Sequence, residues 1–286
     1  SELQVNENDT QIHIKGREFA YTIDRRTALF TEMKFAGREY LNHPMELNIW
    51  RAPTDNDMYI KAEWKKAHYD KAYTRAYTTE VVQGKHGVKI VSHASVVAET
   101  VQKILDVTIT WKIDASGKID ADIEATKDGE FPDLPRFGVR MFLDKKLSDA
   151  RYFGMGPQES YRDKHQAASH GLYRANVGDL HEDYIRPQEN GSHYDCEYVE
   201  LNNSRYGIVA SAEKAFSFNA SYYTQEELEK KTHNYELIES DSVVFCVDYA
   251  LNGIGSNSCG PVVLEQYRFD DVLFRFQFTL IPYVKG

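Results

Sequence analysis

In the stretch LDVTITWKI the apolar residues Leu105, Val107, Ile109, Trp111 and Ile113 fall at every second position, with Asp106, Thr108, Thr110 and Lys112 between them. Side chains of an extended chain point alternately to its two faces, so such a run makes a strand with one buried and one wet face. After the turn residues DASGK the pattern resumes at Ile119, Ala121 and Ile123, which predicts a β-hairpin. The same period returns at Phe19, Tyr21, Ile23; at Phe137, Val139, Met141, Leu143; at Phe216, Phe218, Ala220, Tyr222; and at Phe274, Phe276, Phe278, Leu280. Strands are therefore expected from one end of the chain to the other. Their spacing, with few helical stretches between them, favours a large antiparallel sandwich over alternating βα units. Two short helices are expected, at Ile60 to Tyr69 and at Gln225 to Lys231, where Thr224 can cap and Glu227 stands three residues further on.

A chain of 286 residues, 42% hydrophobic and 13% aromatic, can bury a sizeable core. A single domain over 1–286 is expected, with Gly129 to Pro135 and Gly171 to Asp183 as loops and the polar first residues as a lead-in from something upstream. The balance of 44 Asp and Glu against 34 Lys and Arg argues against a protein that grips phosphate backbones, which needs clustered cations to displace counterions. No apolar run approaches the roughly 18 residues of a membrane helix, and SELQVNENDTQ has neither the basic nor the apolar region of a signal peptide. The compartment stays open between cytoplasm and periplasm. Three widely spaced cysteines, Cys196, Cys246 and Cys259, form neither a disulfide framework nor a zinc set. Cys246, inside SVVFCVDYA, reads as a small buried hydrophobe.

The loop NGIGSNSCGP (252–261) invites a chemical reading. It lacks the lysine of a phosphate-binding loop and the third glycine of a dinucleotide fingerprint, and no base is paired in sequence with Cys259. His193, Asp195 and Cys196 carry metal-capable atoms at a spacing that fits no common site, and read as surface turn residues. Glycoside hydrolysis needs two carboxyl groups about 5 to 10 Å apart. Asp55, Asp57, Glu159 and Glu189 are candidates by residue type, with turn and structural roles the blander reading of each.

Taken in order, NIWRAPTDND, WKKAHYD, YFGMGPQESYRDK, DYIRPQENGSHYD, YTQEELEKKTHNYEL and DYALNGIGSNSCGP resemble the landmarks of the C-terminal domain, or small chain, of family 2 β-galactosidases, and they cover nearly the whole sequence. The resemblance implies an all-β fold, the β-supersandwich shared with galactose mutarotases, a large antiparallel two-sheet sandwich with short helices. It further implies that the catalytic glutamates and the magnesium and sodium ligands belong to a preceding (β/α)8 barrel, a unit of about 250 residues for which this chain has no room. No catalytic residue, metal or cofactor is then expected in the chain itself, which would be inactive alone. Its partners would be the preceding domains of the same polypeptide, a galactoside bound by the parent enzyme, and further copies in a homo-oligomer.

In the family this loop reaches across to the barrel and walls the galactose pocket, commonly with a tryptophan. Here the matching position is Cys259, in a loop about one residue shorter, with Asn257 or Ser258 beside it. These three are the substrate-binding residues the resemblance implies. A cysteine covers less of a sugar ring than an indole does. The segment after RAPTDND is also short, leaving the pocket entrance more open, and Arg51, Asp55 and Asp57 are assigned to holding that turn. Two other classes share the fold or composition: a freestanding aldose epimerase, which needs an acid and a histidine facing one pocket, and a non-catalytic carbohydrate-binding module.

Overall fold

The computed structural model describes residues 3–255 and 263–286, with backbone alone at 101 and 102. It contains seventeen strands and two short α-helices. The first sheet is made of β1 (Gln4–Glu7), β2 (Gln11–Lys15), β3 (Phe19–Asp24), β4 (Leu29–Phe35) and β5 (Arg38–Glu39), each antiparallel to the next. The second takes β6 (Leu41–Asn48), β7 (Tyr73–Gln83), β8 (Gly87–Ala98), β9 (Val101–Asp114), β10 (Ile119–Lys127), β11 (Arg136–Asp144) and β12 (Asp149–Gly156). It continues with β13 (Ser169–Asn176), β14 (His193–Asn202), β15 (Tyr206–Ser221), β16 (Ser242–Leu251) and β17 (Leu273–Val284). Between them lie α1 (Ile60–Lys66) and α2 (Gln225–Lys230).

The twelve-stranded sheet forks at its longest strand. One half of β15 (206–211) pairs with β17, which continues the sheet through β10, β9 and β8 to β7, while the other half (217–221) pairs with β16, which leads to β11 and β6. The two arms pack on one another: Phe137 of β11 lies 4.9 Å from Phe274 of β17, edge to face. The five-stranded sheet closes over β9 and β10. There the Trp111 ring stands 4.8 Å from Phe30, and its indole nitrogen donates to the Ala28 carbonyl oxygen at 2.8 Å. The expected hairpin has the register the alternation requires, Ile113 opposite Ile119 and Ile109 opposite Ile123.

The helices fall where expected and end early. α1 stops at Lys66 and a separate 3-10 turn covers Tyr69–Lys71; α2 stops at Lys230, with the Thr224 hydroxyl accepting from the Glu227 amide at 3.0 Å. Two segments are more regular than their sequence suggests. The polar N-terminal residues form strand β1, held by backbone pairing with β2, and half of the segment read as a loop after Gly171 is strand β13. Both are edge strands with largely exposed side chains, so no apolar alternation marks them.

Because Trp111 is fully buried and bridges the two sheets, Trp111→Ala is expected to cost about 3–5 kcal/mol. The exposed neighbour Lys112→Ala should change stability by less than about 0.5 kcal/mol. Urea denaturation of the two variants checks the contrast.

Candidate functional site

The stem of the glycine loop, Asn252–Gly255, is held in three ways by residues distant in sequence, two through side chains and one through backbone. The first grip comes from the RAPTDND segment. Pro53 keeps the residue before it extended, and the chain then turns through a 3-10 helix over Asp55–Asp57, where the Asp57 carboxylate accepts from the Thr54 amide at 2.9 Å. That places Asp57 against the guanidinium of Arg51, which donates to it through Nε (3.1 Å) and Nη2 (2.8 Å). The remaining donors of Arg51 point at the stem, Nη1 to the Asn252 carbonyl at 2.5 Å and Nη2 to the Gly253 carbonyl at 3.0 Å. Arg51 is 0% exposed and Asp57 1%. Asn56 adds a bond from Nδ2 to the Ile254 carbonyl oxygen at 3.1 Å.

Asp163, from the GPQESYRDK segment, grips the opposite side. Its carboxylate accepts from the Ile254 amide (3.1 Å) and the Gly255 amide (2.9 Å). A side chain at 253 would have its Cβ 2.7 Å from Asp163 Oδ2 and 2.8 Å from Val263, and Gly255 has φ +78°, so both glycines answer a geometric demand. The third hold is backbone: the Asn252 amide donates to Pro135 O at 2.9 Å and the Gly253 amide to Tyr267 O at 2.9 Å.

Beneath the stem runs a second buried network. Arg136 donates to Asp248 (Nη2, 2.6 Å), to Glu189 (Nη1, 2.8 Å) and to Asn219 (2.9 Å). Glu189 also accepts from the Tyr161 hydroxyl at 2.7 Å, and its amide reaches Ala52 O at 3.0 Å, joining three of the segments. Burial pushes the Asp248 carboxyl up to about 6 even with Arg136 drawing it down. Burial likewise raises the Cys246 thiol to about 12, so this residue is the inert hydrophobe its surroundings predict. Beside the stem opens a cleft of about 140 Å³ with Tyr161, Arg162, Tyr194, Asp195, Ser217 and Tyr249 in its walls.

The structure brings Arg51 and Asp57 together as expected, and not Asp55, which instead exchanges bonds with the side chain of Gln188. Glu159 accepts from the Gly191 amide at 2.8 Å, from Lys164 at 3.0 Å and from the Tyr184 hydroxyl. The four candidate acids are thus all engaged in holding the fold. His193 and Cys196 are not surface turn residues: both are buried on β14, 1% and 0% exposed. A bulge around Asp195, whose φ is +58°, resets the alternation between them. Asp163, Arg136, Asn219 and Asp248 escaped the sequence reading, although Asp163 lies inside a landmark segment and Asp248 opens another. Cys259, Asn257 and Ser258 lie in 256–262, outside the described residues. Among the described residues no group of three or more His, Cys, Asp or Glu is placed to hold a metal ion.

Residues 15–280 match the family model of the β-galactosidase small chain. The chain belongs to that family. It is 44% identical over 281 residues to a β-galactosidase of Actinobacillus pleuropneumoniae and 32% identical over 281 residues to one of Staphylococcus xylosus. In both cases the alignment takes in 98% of this chain and 28% of the relative, so the small chain described here spans little more than a quarter of their length. A solved galactose 1-epimerase of Lactobacillus acidophilus superposes over 99% of this chain and 100% of its own with a TM-score of 0.54 at 9% identity, which establishes a shared galactose mutarotase-like fold.

Two measurements follow from this geometry. Arg51→Met leaves the Asp57 carboxylate buried without its cation and two stem carbonyls without donors, and should cost about 3–5 kcal/mol by urea denaturation; the double variant Arg51→Met/Asp57→Leu should recover part of that loss. His193 supplies a pH test. Its ring lies between Tyr152 and Phe218, its Nδ1–H donates to Met155 O at 3.0 Å, and burial lowers its pKa to about 4. Above pH about 6.5 the imidazole is neutral in both folded and unfolded chains. Below it the unfolded chain takes up a proton that the native one refuses, so stability falls by about 1.4 kcal/mol per pH unit until about pH 4. His193→Asn should flatten that slope by this amount, and equal slopes for variant and wild type would refute the assignment.

Proposed function

We propose that this chain is the C-terminal part of a family 2 glycoside hydrolase that cleaves terminal β-D-galactosides with retention, and that its part in the reaction is to hold loop 256–262 against the sugar pocket. The observation that carries the reading is the double grip on Asn252–Gly255 by Arg51 and Asp163. A stem so over-determined is what a loop needs if its tip is to meet a substrate held by another domain, because a misplacement of about 1 Å at a reacting centre costs on the order of 100-fold in rate. Exposed apolar side chains flank the stem, Met58 and Tyr59 on one side and Leu264 after the loop, as on a face that another domain covers.

Retaining hydrolysis takes one carboxylic acid to protonate the leaving oxygen and one carboxylate, about 5 Å away, to form the glycosyl-enzyme intermediate. Asp57, Glu159, Glu189 and Asp248 are each committed to hydrogen bonds within the fold, which supports assigning both catalytic roles to the preceding domain, along with any magnesium and sodium. From this chain, Cys259 with Asn257 or Ser258 would wall one side of the galactose. Its thiol can present a soft apolar surface to the sugar ring, and the neighbouring amide or hydroxyl can hydrogen-bond a sugar hydroxyl.

In the full-length protein, Cys259→Trp should shift KM or the preference between two aglycones by about ten-fold or more, and Cys259→Asp should weaken binding by a comparable factor. Unchanged steady-state constants for both would remove the loop from the pocket. The isolated 286-residue chain should release no chromophore from a nitrophenyl galactoside above the buffer rate. Turnover by the pure chain, abolished by substituting one of its own acids, would contradict the division of labour.

A further inference from the structure

On the outer face of the sheet, far in sequence from the loop, Arg151 of β12 stands directly opposite Arg174 of β13. Like charges facing across two strands destabilise the pair unless something neutralises them. On the other flank of Arg151 the cross-strand neighbour is Glu200 of β14, the natural ion partner. That carboxylate is taken. Its Oε1 accepts from the Tyr283 hydroxyl at 2.6 Å and its Oε2 from Asn202 Nδ2 at 3.2 Å.

The arrangement is built into the backbone. Tyr283 reaches Glu200 by crossing β15 at Gly207, where any Cβ would stand 2.5 Å from the tyrosine oxygen. Among the described residues neither guanidinium forms an ion pair, and Arg151 Nε is shut off from solvent with no hydrogen-bond partner. A buried donor left without an acceptor keeps its desolvation cost unrepaid, so the site is frustrated as it stands. Both arginines line a cleft of about 510 Å³, which Lys285 flanks with a third cation and Asn176 with an amide. In a chain with net charge −10, three cations on one concavity against two acids, Asp149 and the already hydrogen-bonded Glu200, are a local exception.

We propose that this cleft is an oxyanion site, in which Arg151 and Arg174 jointly hold a phosphate or carboxylate group and Lys285 adds charge at the rim. Two planar guanidinium groups offer the paired donors that such groups accept. The anion relieves the Arg–Arg repulsion and supplies the counter-charge that Glu200 does not. Its source is either a small anion from solution or a carboxylate presented by another part of the full-length protein.

The test is thermal denaturation of the full-length protein at constant ionic strength with low-millimolar inorganic phosphate replacing chloride, for wild type, Arg151→Gln, Arg174→Gln and Arg174→Glu. A saturable rise in Tm for wild type, with the apparent affinity about ten-fold or more weaker in both Gln variants, identifies a site for free anions. If phosphate does nothing to wild type while Arg174→Glu melts well below Arg174→Gln, a carboxylate of the protein already fills the cleft. Two results overturn the proposal. One is an equal phosphate effect on wild type and Gln variants, which is the general stabilisation by excluded salts. The other is no phosphate effect together with an Arg174→Glu variant at least as stable as wild type, since a glutamate there would pair with Arg151 in an empty cleft.

Discussion

The candidate site depends on one buried guanidinium. Arg51 has its donors divided between the Asp57 carboxylate and two consecutive carbonyls of the loop stem, and it has no contact with solvent. A buried ion pair gains little net stability over an apolar pair of the same shape, because desolvation offsets most of the attraction. What it gives is direction. A planar fork fixed at one end by a carboxylate can aim at carbonyls from only one angle, so the turn at RAPTDND sets where residue 252 leaves the sheet. Arg136 repeats the device one layer deeper between two carboxylates, Glu189 and Asp248, and burial pushes the second of these towards its neutral form against the pull of Arg136.

The rest of the molecule supplies the rigidity this demands. A sheet that forks at β15 and folds one arm over the other encloses a continuous aromatic core, with Phe137 on Phe274 and Trp111 against Phe30. The same general architecture carries a galactose 1-epimerase at 9% identity, so the sandwich does not dictate the chemistry. In this chain the end of β16 and the segments around Arg51 and Asp163 hold the stem of one loop, within the span 15–280 that matches the β-galactosidase small-chain family.

Much of the architecture is legible in the sequence because burial on one face of a strand writes a period of two. The hairpin of β9 and β10 and the terminal strand β17 show it cleanly. β1 and β13 do not, since an edge strand can be held by backbone bonds alone and needs no apolar face. His193 and Cys196 misled for another reason: the left-handed backbone at Asp195 inserts a bulge that turns two residues three apart towards the core. The landmark segments of the site were visible, but their mutual contacts were not. Arg51 and Asn252 lie 201 positions apart, and nothing local in either segment announces the other.

The account makes the loop beyond Gly255 a wall of a sugar site that the chain completes and does not itself contain. A crystal structure of the full-length protein with galactose bound measures this directly. The account predicts Cys259 Sγ in van der Waals contact with the sugar, within about 4 Å of a ring carbon, with Arg51 still on the carbonyls of Asn252 and Gly253. A galactose bound with the loop turned away from it, or Cys259 sealed in the sandwich core, would contradict it.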